Sequence, residues 1–284
     1  MATGPKVTEE RDDRGLPVVV LTHPRGGRAT VHRHGAHVTR WTDASGDDVL
    51  FLSAASRFGE GAAIRGGIPV IFPQFAEQGP LPKHGFARTS EWALVDTVDA
   101  EDEACAVFQL TDTPATHAVW DHAFRAEVAV VLADALTVVL SVENTGEAPF
   151  EFTCALHGYL RVDDARRAAV DGLRGVRFRD KVAGGEAVQE EDELRFAGEV
   201  DRVYLGATPE LRLRDGDGHT TTLRARGFPD AVVWNPGPEL AAKLEDLEED
   251  GWRRFVCVEA GQVGTPVRLK PGERWSAAQT IARG

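Results

Sequence analysis

The sequence predicts an all-β protein, a large sandwich or barrel with one or two short helices. Short runs rich in β-branched and aromatic residues recur along the chain, turn residues punctuate them, and only one segment has convincing helical signals. No self-similar period of about 20–50 residues accompanies the runs, so a propeller or solenoid lacks its sequence signature.

In chain order the runs cover residues 17–21, 29–31, 49–52, 104–111, 124–132 and 135–143, with a further core strand through 35–41. The pair 124–132 and 135–143 flanks a tight Ala133-Asp134 connection and reads as a β-hairpin. Runs at 150–162, 202–204, 210–214, 220–226, 231–234, 255–259 and 275–281 follow. Turn residues separate them at Asp163-Asp164, Asp215 to Gly218, Gly227 to Pro229 and Lys270 to Gly272. The helix is expected from Asn235 or Gly237, as cap, to Gly251, with Pro238 in its first turn and an apolar stripe of Leu240, Leu244 and Leu247. No linker-like stretch divides the 284 residues, so one domain over 1–284 is expected, led by a flexible segment over 1–13.

A formal net charge of -13 opposes binding to nucleic acid or an anionic membrane, and any anionic ligand must be held by a few local cations. The opening residues lack the apolar core of an export signal, and the apolar stretch 128–140 is interrupted by Asp134 and too short to span a bilayer. Cys105, Cys154 and Cys257 are odd in number and widely spaced, which fits small buried hydrophobes in a reducing cytoplasm. The expectation is a cytoplasmic monomer whose partner is a small molecule.

The richest chemistry lies in Ala63-Ile-Arg65-Gly-Gly-Ile-Pro-Val-Ile-Phe-Pro73-Gln74-Phe75 and Leu81-Pro-Lys83-His84-Gly-Phe-Ala-Arg88. Cationic side chains in a Gly/Pro-rich apolar loop let backbone and guanidinium groups converge on an anion, although surface turns would also carry such arginines. Neither segment has P-loop or dinucleotide spacing. Along 152–162, Phe152, Cys154 and Leu156 alternate with Thr153, Ala155, His157, Tyr159 and Arg161, which puts His157 on the more polar face of a strand. A satisfied structural histidine fits that pattern equally well. Glu259 closes the apolar run 255–258, where an acid needs a partner or a task unless the strand ends there in solvent. Asp201, in Glu199-Val-Asp-Arg, reads as solvated surface. His32, His34 and His37 offer imidazoles to a metal but have no fourth ligand nearby, and no Gly-x-Ser-x-Gly elbow occurs.

Together the two loop segments resemble the glucose-6-phosphate 1-epimerase (hexose-6-phosphate mutarotase) family within the aldose 1-epimerase superfamily. The resemblance recurs in order at Gly35-Ala-His-Val-Thr39, Val49 to Ser53, Asn144-Thr145, Ala155 to Val162, Val200 to Tyr204, Val233-Trp-Asn-Pro236 and Val256-Cys-Val-Glu259. It implies a galactose mutarotase-like β-supersandwich that interconverts the α and β anomers of hexose 6-phosphates without metal or other cofactor. It further implies His157 as general acid, Glu259 as general base, and Arg65 and Arg88 on the phosphate, assisted by Lys83. Gln74 and His84 would bind sugar hydroxyls or support the loop, and Asp201 would bind a hydroxyl or orient His157. An ionised Glu259 suits the base role, whereas His157 needs a modest upward shift from about 6.5, for which Asp201 is the candidate carboxylate. The chain departs from the family pattern at Gly158, at Ala260-Gly261 and in the insertion-like segment 76–80. A mutarotase of unphosphorylated aldoses and a non-catalytic carbohydrate- or sugar-phosphate-binding module remain open.

Overall fold

Strand follows strand through nearly all of residues 4–284, the part of the chain that the computed structural model describes. The series opens with β1 (Lys6–Arg11), β2 (Pro17–His23), β3 (Gly27–His32), β4 (His37–Thr42), β5 (Val70–Ile71), β6 (Ala93–Asp99) and β7 (Ala104–Thr111). After a one-turn helix α1 (Pro114–His117) come β8 (Phe124–Leu132), β9 (Leu136–Asn144), β10 (Phe150–Leu156), β11 (Tyr159–Arg161), β12 (Ala169–Asp171), β13 (Arg177–Asp180), β14 (Glu186–Val188) and β15 (Glu193–Arg195). The chain finishes with β16 (Val200–Leu205), β17 (Glu210–Arg214), β18 (Thr220–Arg226), β19 (Asp230–Asn235), α2 (Gly237–Ala241), β20 (Phe255–Leu269) and β21 (Arg274–Arg283).

These strands pair antiparallel in three sheets. The first is β1-β2-β3-β4, the second runs β14-β13-β16-β19-β20-β10-β5 with β11 also on β20, and the third runs β15-β12-β17-β18-β21-β9-β8-β7-β6. Period-two alternation explains the packing. On β8, Phe124, Ala126, Val128, Val130 and Leu132 are buried while the residues between them are half-buried. Their cluster takes in Val19 and Leu21 from the first sheet and Leu156, Val256 and Val258 from the second. Phe152 of β10 meets Trp275 of β21 edge to face at 5.6 Å, joining the two large sheets through aromatic contact. The opposite face of the second sheet carries Ile71, Ala155, Val203, Val232 and Val263. That second face holds the site described below.

The structure departs from the sequence expectations in places with identifiable causes. Within the supposed flexible lead, residues 6–11 form β1 and pair with β2 from Lys6 opposite Thr22 to Arg11 opposite Pro17, while residues 1–3 lie outside the described residues. The run 49–52 makes isolated bridges rather than a strand. The expected helix is only α2, because the acidic residues that follow are drawn onto a neighbouring loop: Glu245 to Arg57, Asp246 to Arg65, and Glu248 to the Ser53 hydroxyl and Ala54 N–H. Strand 150–162 breaks at His157-Gly158, where the His157 N–H turns to the Pro69 carbonyl at 3.0 Å. The run 255–259 continues into the 15-residue β20, so Glu259 lies inside a strand rather than at its end. Among the described residues no helix is long and apolar enough to cross a membrane.

Gly67 fixes the turn that carries Arg65. Its φ is +62°, its N–H donates to the Phe51 carbonyl, its carbonyl accepts from the Tyr159 N–H, and a Cβ would stand 2.2 Å from the Val38 carbonyl oxygen. Gly67→Ala is expected to destabilise the fold by roughly 2 kcal/mol or more through strain and clash. Urea denaturation beside the parent protein checks this; an unchanged midpoint would show that the turn tolerates a side chain.

Candidate active site

The register of β20 against its neighbours builds the floor of the site. Ala155 pairs with Gly261 and Tyr159 with Cys257, so the intervening His157 falls opposite Glu259. On the other side of β20, Glu259 pairs with Val232 and Cys257 with Trp234, which in turn pairs with Asp201 of β16. Alternation sends Val256, Val258 and Ala260 into the core and turns Cys257 and Glu259 to the other face. The result is a cavity of about 490 Å³ containing Arg65, Lys83, His84, Arg88, His157, Asp201 and Glu259 in its lining. Seven of the eight residues singled out from the sequence therefore meet in one place.

At its centre, His157 Nε2 lies 3.4 Å from Glu259 Oε1, and both residues are buried, Glu259 being only 2% exposed. The imidazole stacks on Tyr159 at 4.9 Å and meets Trp234 edge-on at 5.9 Å, which fixes its plane. His157 Nδ1 and Glu259 Oε2 have no hydrogen-bond partner among the described residues. Burial, reinforced by the Arg88 and Arg65 charges, pushes the His157 pKa down to about 3. Burial, followed by repulsion from Asp201 and opposed by Lys181, pushes Glu259 well above the usual carboxylate range. The upward shift expected for His157 is thus reversed, and Asp201 is not its orienting partner: that carboxylate lies 3.6 Å from Lys181 Nζ. Burial favours the neutral form of each member and so favours the proton on the carboxyl over the imidazole.

Two guanidiniums reach the same cavity by different routes. Arg65 donates from Nη1 to the Tyr159 hydroxyl at 3.0 Å and pairs through Nη2 with Asp246 at 3.0 Å, contacts that raise its pKa against the opposing effect of burial. Arg88, in a short 3-10 turn, donates to the Lys83 carbonyl at 3.2 Å and makes no carboxylate pair among the described residues. Burial, and to a lesser degree the Arg65 charge, lowers its pKa. The buried Nε of each arginine is also without a partner among the described residues. Lys83 is a rim residue, 3.3 Å from Glu77.

His84 adopts φ +68°, a left-handed conformation uncommon outside glycine that recurs at functional sites. Its N–H donates to the Ala76 carbonyl, and its Nδ1 accepts from the Ala76 N–H at 3.3 Å, so it pins the insertion-like segment 76–80 while lining the cavity. Gln74 does not reach the cavity. Its amide donates to the Ala76 and Leu81 carbonyls and accepts from the Leu81 N–H, so of the two roles expected for Gln74 the contacts fit support of the loop and not the binding of sugar hydroxyls. Tyr159, Lys181 and Trp234 also line the cavity and were not singled out from the sequence. Tyr159 was within reach, since it shares strand parity with His157.

A larger cavity of about 750 Å³ lies elsewhere, lined mainly by apolar residues such as Phe58, Ile64, Phe86 and Leu110. His32 and His34 border it, but their rings are engaged by Thr39 and Asp12 and by the Ala62 carbonyl, and His37 contacts the Gly66 carbonyl. Cys154 and Cys257 are buried and Cys105 half-buried on β7.

Comparison with known proteins bears on the family and the fold. The profile of the aldose 1-epimerase family matches residues 17–282. A protein of Escherichia coli K12 named "putative glucose-6-phosphate 1-epimerase" is 36% identical over 94% of this chain and 90% of its own length. One of the same name from Cenchrus ciliaris is 35% identical over 92% of this chain and 83% of its own. The crystal structure of a "putative mutarotase" from Salmonella typhimurium superposes with a TM-score of 0.90 at 32% identity, covering 98% of this chain and 93% of that one. A galactose mutarotase-like protein from Clostridium acetobutylicum shares the fold, with a TM-score of 0.77 at 14% identity over 99% of both chains. The expected β-supersandwich is therefore the fold observed.

The electrostatics have a measurable consequence. The pKa values of His37 and His157 are pushed down to about 3 and that of His84 to about 2, burial being the leading cause for all three. As pH falls from about 6.5 towards 3, the unfolded chain binds protons at these sites that the folded chain does not, so their contribution to stability is lost in that window. Glu259 acts in the opposite sense, losing stability as pH rises above its unfolded value. Imidazole ¹⁵N shifts of the free protein should show His157 neutral between about pH 7 and 5; an imidazolium appearing near 6.5 contradicts the burial argument.

Proposed function

The chain belongs to the aldose 1-epimerase family, and from that premise we propose that this isomerase interconverts the anomers of D-hexose 6-phosphates, glucose 6-phosphate foremost. The observation that carries the proposal is a buried acid–base pair, His157 and Glu259 at 3.4 Å, in one cavity with a guanidinium, Arg88, that lacks a carboxylate partner among the described residues. A phosphate dianion supplies the missing counter-charge, and the guanidinium forks of Arg88 and Arg65 match its oxygens.

Mutarotation requires a proton to leave the C1 hydroxyl while another reaches the ring oxygen. The C1–O5 bond then opens, the aldehyde turns about C1–C2, and closure on its other face returns both protons. One proton shared by His157 and Glu259 suffices throughout. In the productive arrangement the imidazolium of His157 protonates O5 and the Glu259 carboxylate takes the C1 proton. After ring opening His157 is neutral and Glu259 protonated, and closure restores the start.

Burial, reinforced by the Arg88 and Arg65 charges, favours the other tautomer by disfavouring a cation at His157. A bound phosphate offsets those two charges and so moves the balance towards protonation of His157. On this proposal recognition of the phosphate prepares the acid and the base for the reaction. Lys83 and Glu77 close the rim, and Tyr159 holds both the imidazole plane and Arg65.

Exchange NMR between the α and β anomers of glucose 6-phosphate, above the spontaneous background, tests the pair. His157→Ala and Glu259→Gln should each cut kcat by about 10²-fold or more in folded protein; near-normal exchange in either removes that residue from the chemistry. Arg88→Gln should raise KM for glucose 6-phosphate at least tenfold and leave KM for glucose within a few-fold. Equal losses on both sugars would rule out phosphate recognition by Arg88.

A further inference from the structure

Lys181 lies in the cavity lining without any motif around it to announce a role. It follows β13, at the turn into β14, and that turn is braced. One oxygen of Asp180 accepts the Val182 and Ala183 N–H groups at 2.9 and 2.8 Å, and the other takes Arg202 Nε at 3.0 Å. The Lys181 backbone N–H donates to the Asp201 carbonyl at 2.9 Å. Its ammonium lies 4.8 Å from the Phe75 ring centroid and 3.6 Å from Asp201 Oδ1. Holding a lysine in one geometry costs side-chain entropy, and here the two contacts of the ammonium, with the Phe75 ring and the Asp201 carboxylate, offset it.

The charge arrangement says what this lysine suits. Arg88 is a guanidinium without a carboxylate, matched to an anion, whereas Lys181 and Asp201 neutralise one another. At 3.6 Å they are too far apart for a short charge-assisted hydrogen bond, which spans about 2.7–2.9 Å. The ammonium keeps donors and the carboxylate keeps acceptor sites that a neutral ligand can use. A hydroxyl group both donates and accepts, so one can accept from Nζ while it or its neighbour donates to the carboxylate. Neighbouring hydroxyls on a pyranose ring present that pattern.

We infer that Lys181 is a specificity-determining residue that, together with Asp201, binds adjacent ring hydroxyls of the substrate. The inference rests on the hexose-phosphate reading and names which part of the sugar this side of the cavity reads. Phosphate selection then belongs to Arg65 and Arg88, and hydroxyl selection to Lys181 and Asp201.

The test compares Lys181→Met with the parent protein on glucose 6-phosphate and its 2-, 3- and 4-deoxy analogues, using exchange NMR for kcat and KM and calorimetry for Kd. The parent protein should discriminate against at least one deoxy analogue by roughly 10- to 100-fold. Lys181→Met should raise KM and Kd for glucose 6-phosphate about tenfold, with a larger effect on binding than on kcat, and shrink the penalty for that same analogue. Unchanged KM, Kd and discrimination overturn the inference, as does a uniform loss on all four sugars. Should Lys181→Met fail to fold, Lys181→Gln is measured and read in the same way. If the parent protein accelerates no hexose 6-phosphate, the functional reading falls instead, and the calorimetric comparison alone decides the role of Lys181.

Discussion

The site depends on the register of β20 against β10 and β11. Because strands alternate sides with a period of two, sliding β20 by one residue would bury Glu259 in the core and turn Val258 to the cavity. The register is held from the core side by Val256, Val258 and Ala260, and from the site side by Cys257, Tyr159 and Phe255 in a separate apolar cluster. Hydrophobic packing on both faces thus fixes an imidazole and a carboxyl at 3.4 Å on a surface where neither would be placed for stability alone.

Around that pair, charge is distributed unevenly. Lys83 has Glu77, Lys181 has Asp201 and Arg65 has Asp246, and Arg88 alone among these cations of the cavity has only a backbone carbonyl. In a chain of net charge -13 a small anion is repelled over most of the surface, so its binding must come from such a local imbalance. Asp246 also ties the segment after α2 to the Arg65 turn, linking the short helix to the cation that borders the cavity.

What could be read from the sequence follows from how each element is stabilised. Strands β7, β8, β17 and β18 match the runs expected, because hydrophobic alternation or β-branched content marks them. The charged β1, the three-residue β12, β14 and β15, and the four-residue β13 leave no such trace, since neighbouring strands rather than their own composition make them strands. His157 carries a strand-face signal and Glu259 is an unusual acid in an apolar run, while the Gly/Pro-rich loop around Arg65 and Arg88 fits an anion site or a surface turn until the family resemblance is added. Lys181 had no sequence signal, because its place depends on the pairing of β13 with β16, which brings Asp180 opposite Arg202 and the following residue beside Asp201. The wrong direction for the His157 shift has the same origin: sequence gives neither its burial nor the nearness of two arginines.

That reversed shift bears on why such a pair should be buried at all. In water an imidazole and a carboxylate titrate independently, near 6.5 and 4.3, and neither responds much to a distant phosphate. Inside the cavity burial raises the cost of charge on both, so they compete for a single proton across 3.4 Å. The balance between the two tautomers is then sensitive to nearby charge, because the low-dielectric surroundings screen it poorly. Beyond burial, Arg88 and Arg65 act on that balance through His157, and Asp201, opposed by Lys181, acts on it through Glu259. A ligand that meets both groups therefore acts on the tautomer as well as on its own affinity, and burial provides the coupling.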